Sequence, residues 1–167
     1  MIYIAEYDPE WPELFDAEAR RLREALDGVA LRIDHVGSTA VPGLAAKPVI
    51  DIQVSVAPRE PLASYRDPLA SLGYICTTTP FLYFHRPADW PHTHHVHVRE
   101  SGSDDEQRTI AFRDWLRTHP ADRGAYEALK RSLARGADAS SAESRFRYSR
   151  AKTDFIRTLE RRSGSGR

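Results

Sequence analysis

A single carboxylate, Asp51, stands inside the apolar run "PVIDIQVSV" (48–56). Charge in such a run is costly unless a metal, a cation or hydrogen bonds satisfy it. Thirteen residues upstream lies Ser38, preceded by Gly37, and Lys47 falls between them. Downstream, "HTHHVH" (92–97) includes His95 and His97 at i and i+2. Neutral imidazoles at that spacing can share zinc, manganese, nickel or iron with a carboxylate, although ordinary strands carry the same spacing. A glycine after a strand lets the backbone approach a ligand, and a serine hydroxyl with free N–H groups can hold phosphate. Lys47 would add a point charge. A bare Gly-Ser is equally a simple turn, and this one lacks the further glycines of the P-loop and dinucleotide-binding fingerprints.

Strands must position these groups, because side chains alternate between the two faces of a sheet. In "PVIDIQVSV", Ile50, Ile52, Val54 and Val56 share one face, and Val49, Asp51, Gln53 and Ser55 the other. In "THHVHVRE", Val96 and Val98 oppose His95, His97 and Arg99. If both apolar faces pack on the same helices, Asp51, Gln53, His95 and His97 project together on the far side. In "FLYFHR", Phe81, Tyr83 and His85 alternate with Leu82, Phe84 and Arg86, and either set can line the same groove.

The remaining pattern is α+β. "IYIAEY" alternates as a short edge strand, and "ALRIDHV" precedes the Gly-Ser loop as another. Between them, "DPEWPELFDAEARRLREALDG" has helix start and stop signals and one apolar stripe of Trp11, Leu14, Phe15, Leu22, Ala25 and Leu26. "PLASYRDPLASLGY" is helical in part, offset by Pro68. Three C-terminal helices are marked by Ile110, Phe112, Trp115 and Leu116, by Tyr126, Leu129 and Leu133, and by Tyr148, Ala151, Phe155 and Leu159. The expected result is one domain over 1–162, a small mixed sheet with helices mainly against one face, and a frayed tail at 163–167.

The 167 residues suit a single core, and a 41% apolar, 29% charged composition is that of a globular chain. Basic and acidic residues balance at 24 each, which gives no electrostatic footprint for nucleic acid or an anionic membrane. The lone Cys76 excludes an intramolecular disulfide and a Cys-rich zinc site. The N-terminus lacks the basic start and long apolar stretch of a signal peptide, and no run nears the roughly 18 apolar residues of a membrane span. A cytoplasmic setting is the simplest expectation.

Gly-Ser followed by an aspartate in a hydrophobic strand resembles the signature of the nucleotidyltransferase superfamily with the polymerase-β-type fold. More closely, "YDPEWPELF", "HVGSTAVPGLAAKPVIDIQV", "THHVHV", "AFRDWLRTHP" and "YSRAKTDFI" resemble the GrpB family, also called UPF0157, from about Tyr7 to Ile156. The superfamily resemblance implies phosphate at Gly37 and Ser38 and a divalent metal at Asp51. The second carboxylate position is occupied by Gln53 and the third by His97 or His95, which leaves little anionic charge for two magnesium ions. One ion, magnesium or manganese or the softer zinc, held by Asp51, His95 and His97 is expected.

The functional expectation is an enzyme that binds a nucleoside triphosphate or another phosphorylated small molecule and transfers a nucleotidyl or related group. Lys47, Arg113 and Lys152 are the expected charge partners of the ligand, and Asp51 and His97 the catalytic pair. Two alternatives remain open on the same residues. One is a noncatalytic nucleotide-binding module; the other is a single-metal hydrolase or ligase using His and Asp. Gln53→Asp is expected to restore the paired carboxylates if the chain is a lapsed transferase.

Overall fold

The computed structural model describes residues 2–78 and 82–162. Five strands form one sheet in the order β1-β2-β5-β4-β3, with β1 at Arg32–Val36, β2 at Ile50–Val56, β3 at Ile75–Thr77, β4 at Tyr83–Arg86 and β5 at His94–Glu100. Only the central β2–β5 pair is parallel; the other pairs are antiparallel, so the sheet is mixed. The parallel pair is reached through a crossover that includes helix α2 (Leu62–Ser71), β3 and β4.

Helix α1 (Trp11–Ala25) has Pro12 in its first turn and Asp8 accepting from the Glu10 N–H at 2.9 Å. Trp11, Leu22 and Leu26 lie against Ile50, Ile52, Val54, Val56, Phe84, Val96 and Val98, with Tyr65 and Leu69 of α2 completing that core. The predicted stripe differs at one place. Leu14 is 47% exposed, and Glu18 takes the buried position, accepting from Tyr74, Arg86 and Arg21 at 2.8–2.9 Å. Three donors satisfy the carboxylate, so it can replace an apolar residue there.

The other sheet face is half covered. Helix α3 (Asp104–Thr118) crosses it with Glu106 over Gln53 and Ser55. Helices α4 (Pro120–Arg135), α5 (Ala142–Ala151) and α6 (Thr153–Arg162) follow. Leu116, Tyr126 and Leu159 close a second core on Val41 and Leu44 of the β1–β2 connection. Helices therefore lie on both faces, where the pattern predicted mainly one. The predicted third C-terminal helix is two, separated at Lys152. "IYIAEY" forms no strand: Ala5 makes one isolated bridge to Ala46, and Ile2 packs on Ala134, Ala137 and Tyr148. Phe81 and the tail 163–167 lie outside the described residues. No helix among the described residues is long and apolar enough to cross a membrane.

Candidate functional site

Register brings the chemistry together. In the β2–β5 pair Asp51 lies opposite His95 and Gln53 opposite His97, so all four side chains share the face away from the α1–α2 core. The His95 Nδ1 is 3.3 Å and the His97 Nε2 3.5 Å from the same carboxylate oxygen, Asp51 Oδ1. One ligand atom from each residue lies within 4.8 Å of the others, close enough for a single ion. Tyr83 and His85 of β4 join this face, and Phe84 turns into the core, which resolves the two-way choice for that strand. The Tyr83 ring sits edge-on to His95 and stacked with His97, which restrains both imidazoles.

Burial alone would raise the Asp51 carboxyl, but hydrogen bonds and charge from His95 and His97 outweigh it and hold the group well below the usual carboxylate range. Burial lowers His95, with Asp51 opposing. Gln53 differs from its neighbours. It is fully buried beneath α3, its Nε2 donates to the Glu106 carbonyl at 3.3 Å, and its Oε1 has no partner. A carboxylate at 53 would meet a carbonyl oxygen, not an ion, so Gln53→Asp does not restore a paired-carboxylate site.

The Gly-Ser loop backs the aspartate. Gly37 has φ 71° and ψ −168°, and a side-chain carbon there would lie 2.5 Å from Asp51 Oδ2. Only glycine allows the backbone to cross the carboxylate this closely. His35, 8% exposed, bonds Thr39 at 3.0 Å and stacks on Phe15; burial pushes it down to about 4, so it is a neutral structural group. The connection after it has little regular structure, and α3 and α4 satisfy its backbone. Arg113 donates to the His35 carbonyl, Arg117 to Ala40, Arg123 to Pro42 and Lys130 to Ala45, while Glu127 accepts from the Ala45 N–H.

These contacts relocate one predicted ligand residue. Arg113 is spent on His35 and on the Asp114 carboxylate and does not line the cavity. Membership in a motif gave no information about its direction. Lys130 of α4 is only 2% exposed.

A cavity of about 190 Å³ lies where loop, sheet and helices meet, lined by Ser38, Lys47, Asp51, His95, His97 and Lys152 among others, with Lys130 and Tyr148 on its wall. Burial first, then the Lys152 charge, pushes Lys130 down to about 7. Burial first, then Lys47, pushes Lys152 down to about 8, against the pull of Asp51. Lys47 is lowered by burial as well, and its ammonium lies 5.1 Å from the Tyr148 ring and 5.8 Å from Trp90. Ser38 lines the same cavity. Three amines thus converge beside one carboxylate, an arrangement that favours an anion of several charges.

One further histidine, His92, has no individual signal in the sequence. His92 Nδ1 is 3.0 Å from His95 Nε2, and its ring stacks on His85 with centroids 4.0 Å apart. Burial, with His85 and His95 nearby, pushes His92 down to about 4. The clustering of "HTHHVH" was the available signal, but nothing in it distinguishes His92 from His94, which faces Arg86 on the core side.

The GrpB protein family matches residues 1–162. A UPF0157 protein of Halalkalibacterium halodurans is 44% identical over 80% of this chain and 69% of its own length. A UPF0157 protein of Pseudomonas aeruginosa is 43% identical over 80% of this chain but 57% of its own length. A protein of Mycolicibacterium paratuberculosis named dephospho-CoA kinase is 36% identical over 78% of this chain, which spans only 39% of that kinase. Among solved structures, the conserved protein GrpB from Enterococcus faecalis superposes with a TM-score of 0.81 at 33% identity, covering 96% of each chain. The Cid1 poly(U) polymerase with MgGTP bound gives 0.51 at 14% identity, over 80% of this chain and 45% of the polymerase, a likeness of fold to a nucleotidyltransferase. This chain belongs to the GrpB family.

Proposed function

We propose that this protein binds a nucleoside triphosphate, or another phosphorylated small molecule, together with one divalent metal, and transfers a nucleotidyl or related group from it. The observation that carries this is the convergence of Lys47, Lys130 and Lys152 with Asp51, His95 and His97 in one cavity under the Gly37–Ser38 turn. Burial and the neighbouring cations hold these amines below their ordinary protonation, and a polyphosphate would add the opposing charge. At about 190 Å³ the cavity is smaller than the ~300–1,000 Å³ usual for a whole small-molecule ligand. It suits the charged portion of a ligand, with the remainder at the mouth.

The donor set fits a metal. One carboxylate and two imidazoles suit manganese or zinc better than magnesium, which prefers oxygen ligands and retained water. An ion held there would supply positive charge for phosphate oxygens. The chain's own residues do the rest: the lysines bind and orient the phosphates, Ser38 and the adjacent backbone hold one of them in place, and His97 stands where a metal ligand or general base is needed.

A thermal-shift screen tests this by crossing nucleoside triphosphates with magnesium, manganese and zinc, followed by assay of pyrophosphate release. The relatives named dephospho-CoA kinase add dephospho-CoA and coenzyme A to the ligands worth screening. A ligand at a hundredfold excess over its Kd stabilises by about 2.7 kcal/mol, or about 5–10 °C for a chain of this size. No shift with any combination would overturn the proposal. The burial of Gln53 away from the site specifically favours a second reading, a binding module without turnover. Metal-dependent binding with no pyrophosphate release from any triphosphate would select it.

A further inference from the structure

A metal-ligating imidazole has two ring nitrogens, and the partner of the outer one decides which tautomer meets the ion. The Asp51 contact of His97 is at its Nε2. For His95 both nitrogens are placed: Nδ1 is 3.3 Å from Asp51 Oδ1, and Nε2 is 3.0 Å from His92 Nδ1. His92 lies in the turn between β4 and β5 and is 8% exposed. Its orientation is fixed by two aromatic contacts, His85 stacked at 4.0 Å and 14° and Trp90 edge-on at 5.1 Å. His85 is itself anchored, with Nδ1 3.1 Å from the Pro87 carbonyl. The ring that faces His95 therefore rests on a platform anchored to the backbone.

We infer that His92 is a positioning residue for the metal centre, accepting the His95 Nε2–H at its own Nδ1 and so holding the His95 Nδ1 lone pair toward the ion. The inference rests on the metal-binding role proposed above for Asp51, His95 and His97. Without an ion, His95 Nδ1–H donates to the Asp51 carboxylate, and His95 Nε2 accepts from His92 Nδ1–H. With an ion on His95 Nδ1, that proton cannot stay; His95 carries its proton on Nε2 and donates to His92, which carries its own on Nε2. Each ring holds one proton in both arrangements, so the hydrogen bond between them reverses and no proton is created or lost. Tyr83, packed on the ring of His95, cannot perform this exchange, because its contact is through the face and edge of the rings.

The test uses zinc alone, titrated into the full chain in competition with a chromophoric chelator. Wild type is compared with His92→Phe, which keeps an aromatic ring on His85 but has no acceptor, and with His92→Asn, whose side-chain oxygen can stand near the lost Nδ1. His92→Phe is expected to weaken zinc binding about 10–100-fold, and His92→Asn to recover most of that loss. In zinc-loaded wild type, nitrogen NMR of the ring should show His95 metallated at Nδ1 and protonated at Nε2, a readout that does not depend on any variant folding. Wild-type zinc affinity in His92→Phe, an equal loss in both variants, or His95 metallated through Nε2 would each overturn the role of His92 while leaving the metal centre intact. Absence of zinc binding by wild type would overturn the metal centre itself, and this role with it.

Discussion

Gly37→Ala is the substitution whose consequence can be worked most fully from the structure. At φ 71° and ψ −168° the residue occupies a region essentially restricted to glycine, and any side chain there costs about 1–3 kcal/mol of backbone strain. The added carbon would also lie 2.5 Å from Asp51 Oδ2, 2.9 Å from its Cβ and 3.0 Å from its Cγ. Rotation of the carboxylate relieves the first contact only, because the Cβ is fixed by the strand; the loop must lift too. Overpacking of this kind adds about 1–3 kcal/mol, for a total of about 2–6 kcal/mol or roughly 4–24 °C in Tm. Any rotation that helps also breaks the 3.3 and 3.5 Å contacts to His95 and His97, so zinc affinity must fall with stability. Gly28→Ala is the control: its φ is +75°, but nothing lies within 4 Å of an added carbon, so it costs strain of about 1–2 kcal/mol and leaves zinc binding unchanged. Thermal melts and chelator competition on the two variants measure both quantities. If Gly37→Ala is no less stable than Gly28→Ala and binds zinc as wild type does, the loop does not hold Asp51 in place.

Gln53→Asp should destabilise, since it buries a carboxylate against the Glu106 carbonyl, and should leave magnesium affinity unimproved; urea unfolding and magnesium titration check both. With Lys130 at about 7 and Lys152 at about 8, a polyanion that raises both will bind with uptake of protons at pH 8. Affinity for a triphosphate should then fall as pH rises from 7 to 9, and calorimetry in buffers of different ionisation enthalpy should show the uptake; zero uptake would contradict it. In the free protein the same amines act with the other sign: the unfolded chain binds more protons between their lowered values and the ordinary 10.5, so their contribution to stability rises with pH through that window. Arg117→Ala removes both guanidinium hydrogen bonds to the Ala40 carbonyl and should cost about 1.5–3 kcal/mol in urea unfolding, weakening phosphate binding only through the loop.

The strand periodicity of "PVIDIQVSV" and "HHVHVRE" was enough to place Asp51, His95 and His97 on one face, because alternation depends only on the chain itself. That the two strands are adjacent and parallel, with Asp51 opposite His95, depends on a crossover through α2, β3 and β4 and is not local information. The three-residue β3 is too short to show a period. Tyr148, Ala151, Phe155 and Leu159 keep helical spacing across a break at Lys152 that has neither glycine nor proline, so two helices read as one. Alternation in "IYIAEY" was misleading because Ile2 is buried against helices and not within the sheet. Arg113 was misplaced for the same reason: where a long cation on a helix points is set by what packs on it. Arg113 found the His35 carbonyl, and Lys130 found the cavity wall beside Ala45.

The central claim is that one divalent ion and a polyphosphate share the cavity under the Gly37–Ser38 turn. The most direct measurement is anomalous diffraction at the manganese edge from crystals grown with manganese and a non-hydrolysable nucleoside triphosphate. The account predicts a single peak within bonding distance of Asp51, His95 and His97, with phosphate density among Lys47, Lys130 and Lys152. A peak bound elsewhere, or phosphates outside this cavity, would contradict it.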